Sequence, residues 1–162
     1  MKNEINRRLL KLLYDHKEEH VGSCFTMVDI LHEIFEKKKD NDIVIVSNGH
    51  AAYALYTFLD AYYEHIDCDE LADKHGGHPN RDEKNHIYCS TGSLGSGIII
   101  AVGRALANPN RKVYVTISDG ECAEGSVWEA LKMFGELRER HKPDMIGFNA
   151  AVSACGVMGN WR

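Results

Sequence analysis

Apolar residues along this chain switch from helical to strand-like spacing and back, and the alternation predicts its architecture. Ile5, Leu9, Leu12 and Leu13 recur at helical intervals, so residues 3–16 form an amphipathic helix that leads into a Gly22-Ser23 loop. Thr26 and Asp29 make a capping box for a second helix, which buries Ile30, Leu31, Ile34 and Phe35 and stops before Asp40-Asn41-Asp42. Ile43-Val44-Ile45-Val46 is a short β-branched run without polar alternation, as in a strand covered on both faces. Ser47-Asn48-Gly49 turns that strand into a helix carrying Ala51, Ala54, Leu55, Phe58 and Leu59.

Residues 66–90 are polar around His75-Gly76-Gly77-His78-Pro79 and read as a long loop with a short helix near Glu70. Loops of that length in compact domains are usually functional or disordered. A second unit begins at Gly92, where Gly92-Ser93-Leu94-Gly95-Ser96-Gly97 precedes an apolar helix from Ile98 to Ala107. The third strand is Val113 to Ile117, followed after Glu124 by a helix with Val127, Trp128, Leu131, Phe134 and Leu137; a fourth strand runs from Met145 to Asn149. The expected fold is α/β, an open and mostly parallel sheet flanked by helices, in a single domain over residues 1–162. In such sheets ligands bind beyond the carboxyl ends of the strands.

Composition narrows the function by exclusion. A formal charge of −5 and the Lys37-Lys38-Lys39 run answered at once by Asp40 and Asp42 leave no basic stripe, so nucleic acid is not an expected partner. No apolar run approaches the roughly 18 residues that cross a bilayer, and Met1-Lys2-Asn3-Glu4 lacks the core of a signal peptide, so a cytoplasmic location and no membrane contact are expected. Cys24, Cys68, Cys89, Cys122 and Cys155 are scattered and odd in number, which points to reduced thiols.

Chemistry concentrates at two strand ends. Ser118-Asp119-Gly120-Glu121 follows the third strand, and Asn149 closes the fourth. A carboxylate and an amide oxygen at neighbouring strand ends suit a hard cation, Mg²⁺ or Ca²⁺, of the kind that bridges protein oxygens to a diphosphate. An Asp-Gly pair is also a common turn dipeptide; its partner at the equivalent position of the next strand is what favours the metal. Three of the nine histidines, His20, His50 and His78, sit inside glycine-containing loop motifs, where an imidazole can shuttle protons or donate hydrogen bonds. His16, His32, His65, His75, His86 and His141 lack such context and read as surface or capping residues.

Taken together, His20-Val21-Gly22-Ser23, the run Ser47-Asn48-Gly49-His50-Ala51-Ala52-Tyr53-Ala54-Leu55-Tyr56, Gly77-His78-Pro79, Ser90-Thr91-Gly92-Ser93-Leu94-Gly95-Ser96-Gly97, Ser118-Asp119-Gly120-Glu121 and Glu124-Gly125-Ser126-Val127-Trp128-Glu129-Ala130 resemble the N-terminal portion of transketolases in letters, order and spacing. The resemblance runs from His20 to Asn149. It implies the diphosphate domain of a thiamine diphosphate enzyme, similar to the N-terminal subunit of split transketolases and shortened relative to it. It further implies glycolaldehyde transfer between sugar phosphates, as in the pentose phosphate pathway. By the same resemblance Asp119, Asn149 and the main-chain carbonyl of Ala151 hold Mg²⁺ or Ca²⁺, and Gly120 gives the diphosphate room. Gly92 and Leu94 meet the aminopyrimidine, and His20, His50 and His78 are catalytic contacts to cofactor or donor sugar. Glu124, with Glu129, lies near the cofactor at a subunit interface. The implied partners are a C-terminal transketolase subunit or region, in a homodimer or heterotetramer.

The chain also departs from the family pattern. Ser118 replaces a glycine, a small change, and Gly147 stands where an acidic or amide residue precedes the metal asparagine. A second alignment would therefore move Asn149 to that earlier position and lose the ligand at Ala151. The chain ends at Arg162, before the family's later histidines and the pyrimidine domain whose glutamate activates the cofactor, so it is expected to be incomplete and inactive alone. A natural subunit, a fragment and a decayed relative are all compatible with that. Two other readings stand beside the transketolase one: a non-catalytic assembly or binding module with the same fold, dimerising through Glu124, Trp128 and Glu129, and another thiamine diphosphate enzyme such as a deoxyxylulose phosphate synthase relative.

Overall fold

The computed structural model describes residues 2–141, with side chains to residue 136. These residues form two compact units that share the chain in alternation: the first is Met1–Asp40 with Gly49–Gly92, the second Asn41–Asn48 with the chain from Ser93 onward.

The first unit is helical. Helix α1 (Lys2–Asp15) buries Ile5, Leu9, Leu12 and Leu13, the stripe its spacing predicts. Helix α2 (Val21–Lys37) starts earlier than expected, so the predicted Gly22-Ser23 loop and Thr26 capping box are both helix interior. The reason is burial. Cys24, Met27, Val28, Leu31, Ile34 and Phe35 make one continuous stripe, and covering it outweighs a glycine cost of about 1 kcal/mol. Thr26 and Asp29 lie on the exposed face, where Asp29 pairs with Lys2 instead of capping. After a 3-10 turn at Gly49–Ala51, helix α3 (Ala52–Tyr62) has eight consecutive buried residues, Ala52 to Leu59, and packs against α1, α2 and α4 (Cys68–His75). A helix buried all round needs no polar face. Each fully covered large side chain on it, Phe58 for example, stabilises the unit by about 1.5–3 kcal/mol.

The long polar segment after α4 is ordered. Asp82 and Ile87 exchange both backbone hydrogen bonds across a short antiparallel bridge, Thr91 N–H donates to the Pro79 carbonyl at 3.0 Å, and Arg81 N–H donates to Ser90 Oγ at 2.9 Å. Asp67 caps α4 by accepting from the N–H groups of Asp69 and Glu70.

The second unit holds the sheet. Strands β1 (Ile43–Val46) and β2 (Val113–Thr116) pair in parallel, Ile43 opposite Val113 and Val46 opposite Thr116. No strand lies between them in sequence among the described residues, so the strand expected third is the second. Its helix-opening glycine segment needs no strand of its own. The expected strand from Met145 to Asn149 lies outside the described residues. Helix α5 (Ser96–Ala107) packs on β2, β1 and α6 (Gly125–His141), and Ile98, Val102, Val127 and Ala130 form the core between them. At Gly97 a β-carbon would stand 2.7 Å from Ser47 Cα, so only glycine lets α5 lie this close to the end of β1. No helix among the described residues is long and apolar enough to cross a membrane.

Candidate functional site

In the second unit the chemistry gathers at the carboxyl ends of both strands. Beyond β2 the chain passes through Ser118 and Asp119 into a 3-10 turn, Gly120–Ala123. Glu121 in that turn has no exposed surface, yet it carries a carboxyl group. A buried carboxyl group is tolerated only when its oxygens are bonded, and here they are. Oε1 accepts from Ser47 Oγ at 2.5 Å and from Gly95 N–H at 2.9 Å, while Oε2 accepts from Ser118 N–H at 2.9 Å. Ser118 Oγ in turn accepts from Glu121 N–H at 3.3 Å. One side chain thus ties the end of β1, the glycine-rich loop and the loop after β2.

Asp119, by contrast, is exposed, and its side chain makes no capping bond to the turn it opens. At Gly120 a β-carbon would meet nothing nearer than Ser118 Oγ, 4.0 Å away. The protein itself does not require glycine there, and the surface over the turn is open. Leu94 and Glu124 are exposed as well, Trp128 is half-exposed with its indole N–H donating to the Cys122 carbonyl at 2.8 Å, and Glu129 is exposed. Asn149 and Ala151 lie outside the described residues.

The first unit brings the three histidine motifs together. The rings of His20 and His50 stand 5.1 Å apart, and the Cys24 thiol donates to the His50 carbonyl at 3.6 Å. His78 approaches the same turn: its Cδ2 is 3.1 Å from where a β-carbon on Gly49 would be. It also flanks Gly92, whose φ of +117° is a conformation that side chains rarely adopt. Beside these residues Thr91 Oγ1 is buried without a hydrogen-bond partner. His20 and His78 are exposed and His50 half-buried, so the rings can meet solvent or a ligand.

Two residues behind these histidines have no counterpart in the sequence-based expectation. Glu18, largely buried, accepts from His20 Nδ1 at 2.7 Å and from the backbone N–H groups of Glu19 and His20. Burial works to raise its pKa, but those bonds outweigh burial and hold the carboxyl below its usual range. Asp82 anchors the segment that carries His78. It accepts from Lys74 Nζ at 2.6 Å and Asn85 Nδ2 at 2.8 Å and faces His75 Nε2 at 3.3 Å, and its carboxyl is held down to about 2, chiefly by the Lys74 bond. The His75 side chain is only 3% exposed, so it is a buried anchor rather than the surface or capping residue expected. A carboxylate two residues before a motif histidine is the one sequence signal that could have pointed to Glu18. For Glu121 the signal was its place directly after Asp-Gly.

Residues 8–142 match the family of the transketolase, thiamine diphosphate binding domain. An apulose-4-phosphate transketolase subunit of Phocaeicola vulgatus is 31% identical over 152 residues, covering 80% of this chain and 53% of that protein. Its counterpart in Actinobacillus succinogenes is 33% identical over 165 residues, covering 82% and 58%. The 1-deoxy-D-xylulose-5-phosphate synthase of Fusobacterium nucleatum is 33% identical over 137 residues, covering 82% of this chain and 22% of the synthase. The chain therefore spans about half the length of the transketolase subunits it matches.

Proposed function

This chain belongs to the transketolase family of thiamine diphosphate-binding domains, and on that premise we propose that it holds thiamine diphosphate through Mg²⁺ or Ca²⁺ and, with a polypeptide supplying the pyrimidine domain, transfers a two-carbon ketol unit between sugar phosphates. The observation that carries the metal half is the exposed carboxylate of Asp119 at the end of β2, which makes no capping bond to its own turn and sits on a loop pinned by buried Glu121. The residues present fit the cofactor. Asp119 offers the hard oxygen a divalent ion takes, and the open surface over Gly120 leaves room for phosphate oxygens beside the backbone. When bound, thiamine diphosphate supplies the carbanion stabilisation that ketol transfer needs.

The chain's own share is to bind and orient. Asp119, with Asn149 and the Ala151 carbonyl, would hold the metal, and Gly92 and Leu94 would take the aminopyrimidine. Glu124, Trp128 and Glu129 are exposed and would be available to a partner subunit. His20, His50 and His78 would hydrogen-bond the hydroxyls of the donor sugar and carry protons to and from them.

Calorimetric titration with thiamine diphosphate and Mg²⁺, alone and with a C-terminal transketolase subunit, tests this directly. Wild-type chain should bind in at least one sample, and Asp119→Ala should weaken binding by about 100-fold or more, equivalent to about 2.7 kcal/mol. Unchanged affinity in the variant would remove Asp119 as a ligand. Absence of binding in both wild-type samples would remove the cofactor reading altogether.

A further inference from the structure

The exposed imidazole of His20 rests on a carboxylate that is itself tucked away: the His20 side chain is 50% exposed, that of Glu18 only 14%. Glu18 Oε1 receives three hydrogen bonds, from His20 Nδ1 at 2.7 Å, His20 N–H at 3.2 Å and Glu19 N–H at 3.0 Å. The two backbone bonds fix the carboxylate against its own chain, so the Nδ1 bond fixes the ring. Oε2 lies on the other side, 2.8 Å from where a β-carbon on Gly77 would stand, with the Tyr53 ring also bordering that position at 3.7 Å. The absence of a side chain at Gly77 therefore makes the space that the carboxylate fills. Tyr53 registers the same negative charge: its phenol is pushed upward by burial first and by Glu18 next. Glu18 thus stands where the His20 motif, the helix after His50 and the segment before His78 converge, all within the first unit.

A carboxylate that accepts from Nδ1 selects the tautomer with its proton on Nδ1 and leaves Nε2 as the acceptor. Base and orienting carboxylate at this separation are the arrangement by which an enzyme aims an imidazole. We propose that Glu18 is the positioning residue of His20, holding its imidazole in the Nδ1–H tautomer so that Nε2 faces outward as the hydrogen-bond acceptor for hydroxyl groups of a polyhydroxylated substrate. The part played by His20 toward sugar hydroxyls rests on the ketol-transfer reading; the tautomer and its control by Glu18 do not. A proton taken from such a hydroxyl by Nε2 leaves an imidazolium whose charge faces the Glu18 carboxylate, and returning the proton restores the starting pair. No other reactant enters.

Long-range ¹⁵N–¹H spectra of the labelled full chain near pH 8 read the tautomer without any turnover. Wild-type His20 should show a protonated Nδ1 and an unprotonated Nε2. Glu18→Gln, which keeps an acceptor oxygen, should preserve that state, while Glu18→Ala should give a mixture of tautomers. Gly77→Ala provides a route that leaves Glu18 in the sequence and displaces its carboxylate, and it should produce the same mixture. In the enzyme reconstituted with a C-terminal transketolase subunit, Glu18→Ala should lower kcat about 100-fold or more with a smaller change in KM, and Glu18→Gln should recover part of the loss. A proton on Nε2 in the wild type, or wild-type kcat in Glu18→Ala, would overturn the proposal. The expected tautomers together with no turnover by the wild-type pair would uphold the Glu18 control of His20 and remove ketol transfer instead.

Discussion

At the scale of single residues, Glu121 is the most consequential side chain of the second unit. It spends both carboxylate oxygens on three donors from three different segments. Truncation would strand the buried Gly95 N–H, at about 1–3 kcal/mol, and leave the half-buried Ser118 N–H without its acceptor at a smaller cost. We expect Glu121→Ala to lower unfolding stability by about 3 kcal/mol or more in chemical denaturation. Glu121→Gln should cost less, because its amide oxygen still accepts from Ser47 and Gly95 while its NH₂ turns a donor toward Ser118 N–H. A Gln variant as damaged as Ala would mean that the bonds to Ser47 and Gly95 alone do not hold these loops and that the acceptor facing Ser118 N–H is indispensable. Sequence made the Asp119 motif visible because glycine and carboxylate stand side by side. The place of Glu121 directly after Asp-Gly marks the residue but not its role, which depends on partners at positions 47, 95 and 118 that only folding brings near. Glu18 and its neighbour Gly77 are separated along the chain in the same way.

At the scale of elements, the segment from Gly76 to Gly92 shows how a polar stretch becomes ordered without a core of its own. The Asp82–Ile87 bridge, the Thr91 bond to Pro79, and the Lys74, Asn85 and His75 contacts to Asp82 hold it, and the Tyr56 hydroxyl donates to the Gly76 carbonyl at 2.9 Å. The pKa of Asp82 sets its acid response. The folded value is depressed to about 2 against about 3.9 for a free carboxyl, so this anchor contributes in full above about pH 4 and fades as pH falls toward 2. Acid titration followed by amide exchange at Ile87 should show wild-type protection falling in that window, whereas Asp82→Asn, already without the charge, should show a flatter response. Equal slopes would detach the segment from Asp82. The helices α1, α3 and α5, and both strands, were legible from apolar spacing because burial and periodicity coincide there. The start of α2 is not legible in the sequence, because Gly22, Ser23 and Thr26 signal turns and caps locally, while the stripe beginning at Cys24 is satisfied only by packing against α3. The bridge at Asp82 was hidden for a similar reason, since it consists of backbone bonds and one charged hub.

At the scale of the whole chain, family membership and the described geometry speak to different halves of one problem. The histidines, with Glu18 behind them, belong to the first unit, and Asp119 with Glu121 to the second. Each unit is made from two separated stretches of sequence, so neither can be cut out as one continuous piece. That interleaving has a kinetic consequence. β1 and β2 pair across a long excursion: Lys112 N–H donates to Asp42 Oδ1 at 3.0 Å, 70 residues away in sequence, and the ladder continues from there to Ser47 and Thr116. Contacts so distant carry a loop-closure cost before they return any stabilisation, whereas the contacts among α1, α2 and α3 join nearer neighbours. Sheet pairing is therefore expected late on the folding route, after the helices of residues 49–92 have shortened the effective loop. Conservative truncations such as Ile45→Val and Val115→Ala should give φ-values of about 0–0.3, and Leu31→Ala a higher one; the reverse order would show that the strands meet first. A chain that assembles the loops beyond its strands last would form the surface around Asp119 only in the final stage of folding.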